Sequence, residues 1–167
     1  TTTTGASTVT SLAYGTLSAG IPYTLGQRLN VTTNASNGYT VTVEQTLPFD
    51  SSTGAVIDGF VDGSNTTTPS SWVAPSADPE DSTTWGHWGL TSTDGTTTRS
   101  ASEEFGAQQW VSPSTTPIVI MGHHQASDGT TEGIGSTTVG YTVQITGLQE
   151  AGDDYETTLR YIATPTF

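Results

Sequence analysis

The sequence predicts an all-β protein, specifically an antiparallel β-sandwich with a long, loop-rich insertion in its middle. Three observations favour this class. Helix-forming residues are scarce, Val, Ile, Thr and Tyr recur in short runs, and 19 Gly and 8 Pro supply turns between those runs. The 167 residues can bury a core without a disulfide, so we expect one domain over residues 1–167.

Six segments have the residue pattern of β-strands. In chain order they are 9–14, 28–33, 39–44, 118–121, 139–145 and 156–163. Between the second and third lies the pair Asn37 and Gly38, and both residue types tolerate the positive φ of a tight turn, so we predict a hairpin there. A faint repeat links 38–43 with 140–145, which predicts related places for these two strands in two packed sheets.

Residues 47–117 differ from both ends of the chain. They hold six of the eight Pro and all four Trp, with clusters of Gly, Asp and Ser between them. We expect an elaboration of long loops and short strands laid over the core. No initiator Met or signal peptide precedes Thr1, and we expect Thr1 to be the first residue of a processed chain.

The chain has no Lys and no Cys. Its basic residues are Arg28, Arg99 and Arg160, against sixteen acidic residues, so its net charge is −13. This composition excludes Schiff bases, thiol nucleophiles, disulfides and cysteine metal sites. It also argues against nucleic acid and anionic lipid as partners, because both are bound largely through Lys and Arg. No apolar run approaches the ~20 residues that span a bilayer, so membrane insertion is not expected.

The common catalytic arrangements are also missing, and we predict that the protein is not an enzyme. No Gly-x-Ser-x-Gly motif is present, and the acidic pairs at 103–104 and 153–154 are sequence neighbours that cannot face each other across a substrate. His87, His123 and His124 are expected to be surface or packing residues, without a metal. No cofactor is expected, although Asp58 and Asp62 are the nearest approach to a calcium loop.

Two kinds of candidate surface remain. Trp72, Trp85 and Trp88 could form an aromatic platform for sugar rings, with Trp85 and Trp88 expected as an exposed pair between glycines. Asn30, Asn34 and Asn65 each begin an Asn-x-Ser/Thr triplet, so they are candidate sites of N-glycosylation in an extracellular protein.

Three stretches occur in an order typical of a known family. They are 12–17, then 29–35 running into 37–41, and 151–155 ahead of the closing strand. Together they resemble secreted bacterial β-sandwich proteins of the spore-coat-U and pilin-like type, and the tail from Tyr161 to Phe167 is similar to that of uncharacterised secreted relatives. The resemblance implies an immunoglobulin-like or pilin-like sandwich at the cell surface that assembles by donating a strand to its neighbour.

Our first hypothesis is therefore a secreted, non-enzymatic structural subunit that polymerises with itself into a filament, pilus or surface layer. Residues 1–12 are the candidate donor strand, with Thr8, Val9, Thr10 and Leu12 as its contacts, and Tyr161 to Phe167 are a candidate contact edge. The alternative is a carbohydrate-binding surface module that uses the Trp platform. An internal Thr–Gln ester crosslink is chemically permitted, but no pair is identified by the sequence.

Overall fold

A computed structural model describes residues 5–61, 68–94, 105 and 109–167 of the chain. Within these residues the protein is essentially all-β, with several antiparallel sheets and no α-helix, as the sequence predicted. The candidate residues Asp62 and Asn65, the acidic pair at 103–104 and Arg99 lie outside the described residues. No helix in the described part is long and apolar enough to cross a membrane.

Thirteen strands and one 3-10 helix make up the described structure. The strands are β1 (Ala6–Ser7), β2 (Leu12–Ala13), β3 (Tyr23–Asn30), β4 (Thr32–Thr33), β5 (Tyr39–Gln45), β6 (Asp58–Gly59), β7 (Ser70–Ser71), β8 (Gly86–Ser92), β9 (Gln109–Trp110), β10 (Ile118–His123), β11 (Ser127–Asp128), β12 (Ser136–Ile145) and β13 (Leu159–Pro165). The 3-10 helix is Ser82–Thr84, and the Asp81 side chain accepts a hydrogen bond from the Thr83 N–H at its start.

Two sheets contain the longer strands. One has the order β3-β12-β8-β6, in which only β6 runs parallel to its neighbour, and the other has the order β10-β5-β13 and is antiparallel throughout. The pairs β1-β2, β4-β11 and β7-β9 form two-stranded sheets. The two strands linked by the faint repeat, β5 and β12, both occupy inner positions, one in each large sheet.

The main apolar core contains side chains from both large sheets. Val41 and Val43 of β5 and Ile120 of β10 share one buried cluster with Leu90 of β8 and Val139 of β12. Successive side chains of a strand point to opposite faces, so Val41 and Val43, two positions apart in β5, lie on the same face. A second, smaller cluster forms around Phe49, Ile57, Trp88 and Val143.

The predicted hairpin at Asn37 and Gly38 is wrong. β3 pairs with β12, β4 pairs with β11, and β5 pairs with β10 and β13, so the turn carries the chain from one large sheet to the other. The turn itself is tight, since Gly38 has φ +78° and an added Cβ would lie 1.7 Å from the His123 carbonyl oxygen. Local turn chemistry indicated the bend, but the partner of each strand depends on residues far along the chain.

The middle segment contains a strand that the sequence pattern did not reveal. β8 is almost fully buried and pairs with β12 from Ser92↔Val139 to Gly86↔Ile145. Gly86, His87 and Gly89 interrupt the apolar alternation that normally marks such a strand. Gly89 is required by packing, because an added Cβ would lie 2.8 Å from the Phe60 ring.

Candidate functional site

β13 is an edge strand of the three-stranded sheet and ends the chain's regular structure. It pairs with β5 from Leu159↔Gln45 to Pro165↔Tyr39. Two large apolar side chains are exposed here, Ile162 at 43% and Phe167, which follows the strand, at 82%. This strand contains most of the contact edge predicted from Tyr161 to Phe167.

The direction of each backbone group of β13 follows from two hydrogen bonds at its ends. The Thr46 N–H donates to the Thr158 carbonyl at 2.9 Å, and the Thr166 N–H donates to the Gly38 carbonyl at 2.8 Å. In an antiparallel pair, the backbone N–H and C=O groups of successive residues point alternately towards the partner strand and away from it. The backbone groups of the even-numbered residues of β13 therefore point towards β5, and those of Leu159, Tyr161 and Ala163 point away from the sheet.

These outward groups have no hydrogen-bond partner in the described part of the chain. Pro165 also faces outward and offers only its carbonyl, since proline has no N–H. An edge with unpaired backbone groups is a template for another strand. The outer edge of β13, defined by residues 159–165, is called the β13 edge below.

On the opposite edge of the same sheet, two backbone groups of β10 are bonded by buried side chains. The Ser92 hydroxyl donates to the Ile120 carbonyl at 2.7 Å, and the Gly122 N–H donates to the Asp94 carboxylate at 2.9 Å. Both side chains are buried, with exposures of 6% for Ser92 and 1% for Asp94. Sequence reasoning missed this pair, because a Ser and an Asp two residues apart also occur in ordinary turns. Within the described residues, β10 therefore has side-chain partners for two of its backbone groups, and the outward groups of Leu159, Tyr161 and Ala163 on β13 have none.

Charge is low along the β13 edge. Arg160 is the single charged residue of the strand, and it forms an ion pair with Glu44 of β5. Residues 161–167 carry no charge, and the chain has no Lys that could guard the edge. In a molecule with a net charge of −13, this edge is therefore a place of low local repulsion.

The inner face of β13 is held by tyrosine hydroxyls. Tyr161 and Tyr141 are hydrogen-bonded through their hydroxyl groups, and the Tyr14 hydroxyl donates to the Tyr141 backbone carbonyl at 2.9 Å. Burial raises the pKa of Tyr141 to about 12 and raises the pKa values of Tyr14 and Tyr161 further, mainly through loss of hydration. The phenols therefore stay neutral and fix β13 across the core to β12.

The four candidate donor residues do not lie in one extended strand. β1 and β2 pair as Ala6↔Ala13 and Ser7↔Leu12, and the Thr8 N–H donates to the Ser11 carbonyl at 2.7 Å. Thr8, Val9 and Thr10 therefore lie in the turn of a small hairpin, with Val9 98% exposed. Leu12 is separate from them, because it packs on the main core together with Tyr14.

The expected Trp platform is dispersed by the fold. Trp88 is only 4% exposed and packs edge-on against Phe49, with ring centroids 5.4 Å apart, so the expectation that Trp85 and Trp88 form an exposed pair is wrong. Trp72 is stacked on Phe60 at 5.2 Å and meets Trp110 at 5.6 Å. Trp85 is partly exposed, and its Nε1–H donates to the Asp78 carbonyl at 2.7 Å.

A physical reason explains this dispersal. Trp85 lies before β8, at the end of the 3-10 helix, where its backbone is helical with φ −89° and ψ −30°, whereas Trp88 lies within β8. Trp88 consequently enters the core, while Trp85 remains on the outer side. No ring contact joins Trp72, Trp85 and Trp88 to one another within the described residues.

The candidate metal ligands do not form a cluster in the structure. Asp58 lies in β6 opposite His87 of β8, and burial raises the pKa of the Asp58 carboxyl. His87 is fully buried, with Nδ1 2.9 Å from the Val73 carbonyl oxygen. His123 ends β10 in the other large sheet. Among the residues that the structure describes, no group of three His, Asp or Glu side chains is arranged to hold a metal ion.

Two of the three candidate glycosylation sites are described. Asn34 is exposed, beside the fully buried Ala35. Asn30 is exposed at the end of β3, and its Oδ1 accepts a hydrogen bond from the Ser136 hydroxyl at 2.9 Å. Because an acceptor Asn must be accessible, Asn34 is the more favourable of these two positions.

Comparisons of the chain with protein-family models, with curated proteins and with solved structures found no match. The resemblance to spore-coat-U and pilin-like proteins therefore stays a prediction, and the geometry of the β13 edge carries the functional argument.

Proposed function

We propose that this protein is an extracellular structural subunit that self-assembles into a filament, pilus or surface layer by adding strands across subunit edges. The observation that carries the proposal is the β13 edge, with the unpaired backbone groups of Leu159, Tyr161 and Ala163 and the exposed side chain of Ile162. Strand addition uses such backbone groups for affinity and the neighbouring side chains for specificity.

The contrast between the two edges supports this proposal. On the other edge of the same sheet, the buried Ser92 and Asp94 side chains bond the Ile120 carbonyl and the Gly122 N–H of β10. A hydrogen bond contributes about 0.5–1.5 kcal/mol net, so a row of them along β13 is a substantial gain for a partner strand. The absence of Lys and Cys agrees with a structural role rather than a catalytic one.

The proposal includes a sandwich architecture, with the two large sheets packed face to face. The shared cluster of Val41, Val43, Ile120, Leu90 and Val139 supports it, because these residues come from both sheets. In that arrangement the segment from Leu12 to Leu17 packs against the core at a seam, with Leu12 and Tyr14 on the main cluster and Leu17 on the second one.

The donor role of residues 1–12 remains part of the proposal. The hairpin that holds Thr8, Val9 and Thr10 has only two residue pairs between β1 and β2, so opening it costs little. Once opened, the segment would be extended and uncharged, as a donated strand requires.

Electron microscopy of the natively produced protein, together with size-exclusion chromatography, tests the proposal. We expect ordered assemblies for the full chain. A deletion of residues 1–10 keeps Leu12 and Tyr14 in the core and is expected to abolish assembly if the N-terminus is the donor. A chain that stays monomeric at every concentration, with or without these residues, would refute self-assembly.

The second candidate is a carbohydrate-binding surface module. The partly exposed Trp85 favours it, since its indole is already oriented by the Asp78 carbonyl. A glycan array probed with the wild type and with Trp85→Ala tests this function. Binding that is lost in the variant would support it, and a closed monomer without any glycan signal would contradict it.

A further inference from the structure

We infer that the partner of the β13 edge is the same edge of a second copy, paired antiparallel about a two-fold axis at Tyr161. This inference rests on the proposed self-assembly and names one contact within it. A two-fold contact joins two copies only, so growth beyond a dimer takes a second contact, for which residues 1–12 are the candidate donor. The two sheets would join into one continuous sheet in the order β10-β5-β13-β13-β5-β10, with the β10 strands outermost.

The argument begins with the free backbone groups. Leu159, Tyr161 and Ala163 each present both an N–H and a C=O outward, and they are evenly spaced around Tyr161. Antiparallel pairing through outward residues requires each of them to meet a residue with the same two groups. With Tyr161 opposite Tyr161, Leu159 meets Ala163 of the second copy, so all three exchange both hydrogen bonds.

Two neighbouring registers are possible, and charge disfavours the first. Shifting the axis to residue 160 places Arg160 directly opposite Arg160 of the second copy. Like charges opposite each other across strands are destabilising. In the register centred on Tyr161, Arg160 instead meets Ile162 of the second copy, against which its alkyl stem can pack.

Proline disfavours the second shifted register. An axis at residue 162 places Pro165 opposite Leu159 of the second copy. Pro165 has no N–H, so the Leu159 carbonyl would receive no hydrogen bond from the second copy. In the register centred on Tyr161, Pro165 meets Thr157 and lies beyond the central bonds. Hydrogen bonding and charge therefore select the same register.

Net charge explains how two acidic molecules approach through this edge. Each copy carries −13, which opposes association at long range. The β13 edge itself contributes Arg160 and otherwise uncharged residues. Association through it is consequently expected to strengthen with salt, because screening weakens the long-range repulsion more than the local hydrogen bonds.

Engineered cysteines test the register directly, because the natural chain contains none. The double variant Thr158→Cys/Thr164→Cys places its thiols opposite each other across the dimer only in the register centred on Tyr161. The matched controls are Glu156→Cys/Thr164→Cys for the axis at 160 and Thr158→Cys/Thr166→Cys for the axis at 162. Arg160 and Pro165 stay unchanged in all three. Moving the axis by one residue changes the partner of each residue by two positions. In the wrong register the Cα atoms of the two Cys residues would therefore lie beyond the roughly 7 Å limit for a disulfide.

The readout is the fraction of disulfide-linked dimer after mild oxidation, measured by non-reducing electrophoresis and intact mass. We expect the first variant to crosslink and both controls to stay near background. Stronger crosslinking in a control would overturn the register. Assembly of the wild type without crosslinking in any variant would overturn the β13 edge as the contact and leave self-assembly standing. A wild type that never associates would overturn both proposals.

A charge variant gives an independent measurement. Ile162→Lys would place a Lys opposite Arg160 at two symmetric positions, and we expect it to raise the dimer dissociation constant about tenfold. Thr24→Lys adds the same charge at an exposed residue of β3, the edge strand of the other sheet, and is expected to leave dimerisation unchanged. Sedimentation velocity measures both, and equal effects of the two variants would contradict the inference.

Discussion

Three tyrosines in the core, Tyr14, Tyr141 and Tyr161, combine a structural role with a measurable signature. Tyr141 is buried in the main cluster, Tyr14 and Tyr161 are partly buried against it, and each is bonded through its hydroxyl group. Loss of hydration raises the pKa of each phenol above its ordinary value. Between pH 10 and those raised values the unfolded chain loses these protons while the folded chain keeps them.

We therefore predict that stability falls as the pH rises above 10. Each of these tyrosines contributes at most about 1.4 kcal/mol of lost unfolding free energy per pH unit. Because the chain has no Lys or Cys, tyrosine ionisation near 295 nm is free of competing side-chain titrations from pH 9 to 12. Urea unfolding at pH 7, 9 and 11 measures the slope. Six phenols ionising together near pH 10 in the folded protein would contradict the prediction.

A second residue-scale prediction separates the tryptophans. Trp88→Ala removes a ring from the core beside Phe49 and is expected to destabilise the protein by about 3–5 kcal/mol. Trp85→Ala removes a partly exposed ring and one hydrogen bond, so we expect about 1 kcal/mol. Chemical denaturation of both variants checks the order, and a reversed order would mean that Trp85 rather than Trp88 supports the fold.

At the scale of elements, the two edges of the three-stranded sheet differ. On the β10 edge, the Ser92 hydroxyl donates to the Ile120 carbonyl at 2.7 Å and accepts the Asp94 N–H at 3.1 Å. Among the residues that the structure describes, no side chain bonds the outward backbone groups of Leu159, Tyr161 and Ala163 on β13. This difference is the basis of the proposed strand addition at β13.

Removing the Ser92 hydroxyl should cost stability. We predict that Ser92→Ala destabilises the protein by about 1–3 kcal/mol, because a buried carbonyl is left unpaired. Thr91→Ala, one residue earlier on the outer face of the same strand, is the matched control and should change stability by less than about 0.5 kcal/mol. Equal effects in urea titrations would show that the strand tolerates the loss of the Ser92 bond.

At the scale of the whole molecule, net charge is expected to govern the proposed association. Sixteen acidic residues against three Arg give the chain a net charge of −13 and an isoelectric point near 4.1. Such a molecule repels its copies in dilute buffer, and the repulsion is screened over about 10 Å at 0.1 M salt. Assembly is thus expected to respond to ionic strength more than to any single acidic residue.

We predict that assembly strengthens between 20 mM and 300 mM NaCl and again as the pH falls from 7 towards 5. Protonation of acidic groups and screening both lower the same repulsion. Sedimentation velocity at fixed protein concentration measures the assembled fraction. Weaker assembly at high salt would instead indicate an interface dominated by ion pairs, which the sparsely charged β13 edge does not provide.

Sequence alone determined the all-β class and the positions of most long strands, including the inner strands β5 and β12 and the closing strand β13. It also predicted Tyr161 to Phe167 as a candidate contact edge, and that role stays a prediction. These results depend on local alternation of apolar and polar residues, on turn residues and on composition. Such signals are present in the sequence of a strand whichever strand it pairs with. The buried strand β8 escaped detection because its glycines and His87 break that local signal.

Only the tertiary structure decided which strands pair, that Trp88 is buried, and that Thr8, Val9 and Thr10 form a turn. It likewise revealed that Ser92 and Asp94 bond two backbone groups of β10, while the outward groups of Leu159, Tyr161 and Ala163 have no partner in the described part of the chain. These outcomes depend on residues far apart in the chain, such as β5 with β13 or Ser92 with Ile120. Partner choice and the side-chain bonding of edge strands are therefore properties of the folded chain, because the groups that satisfy them meet only after the sheets have formed.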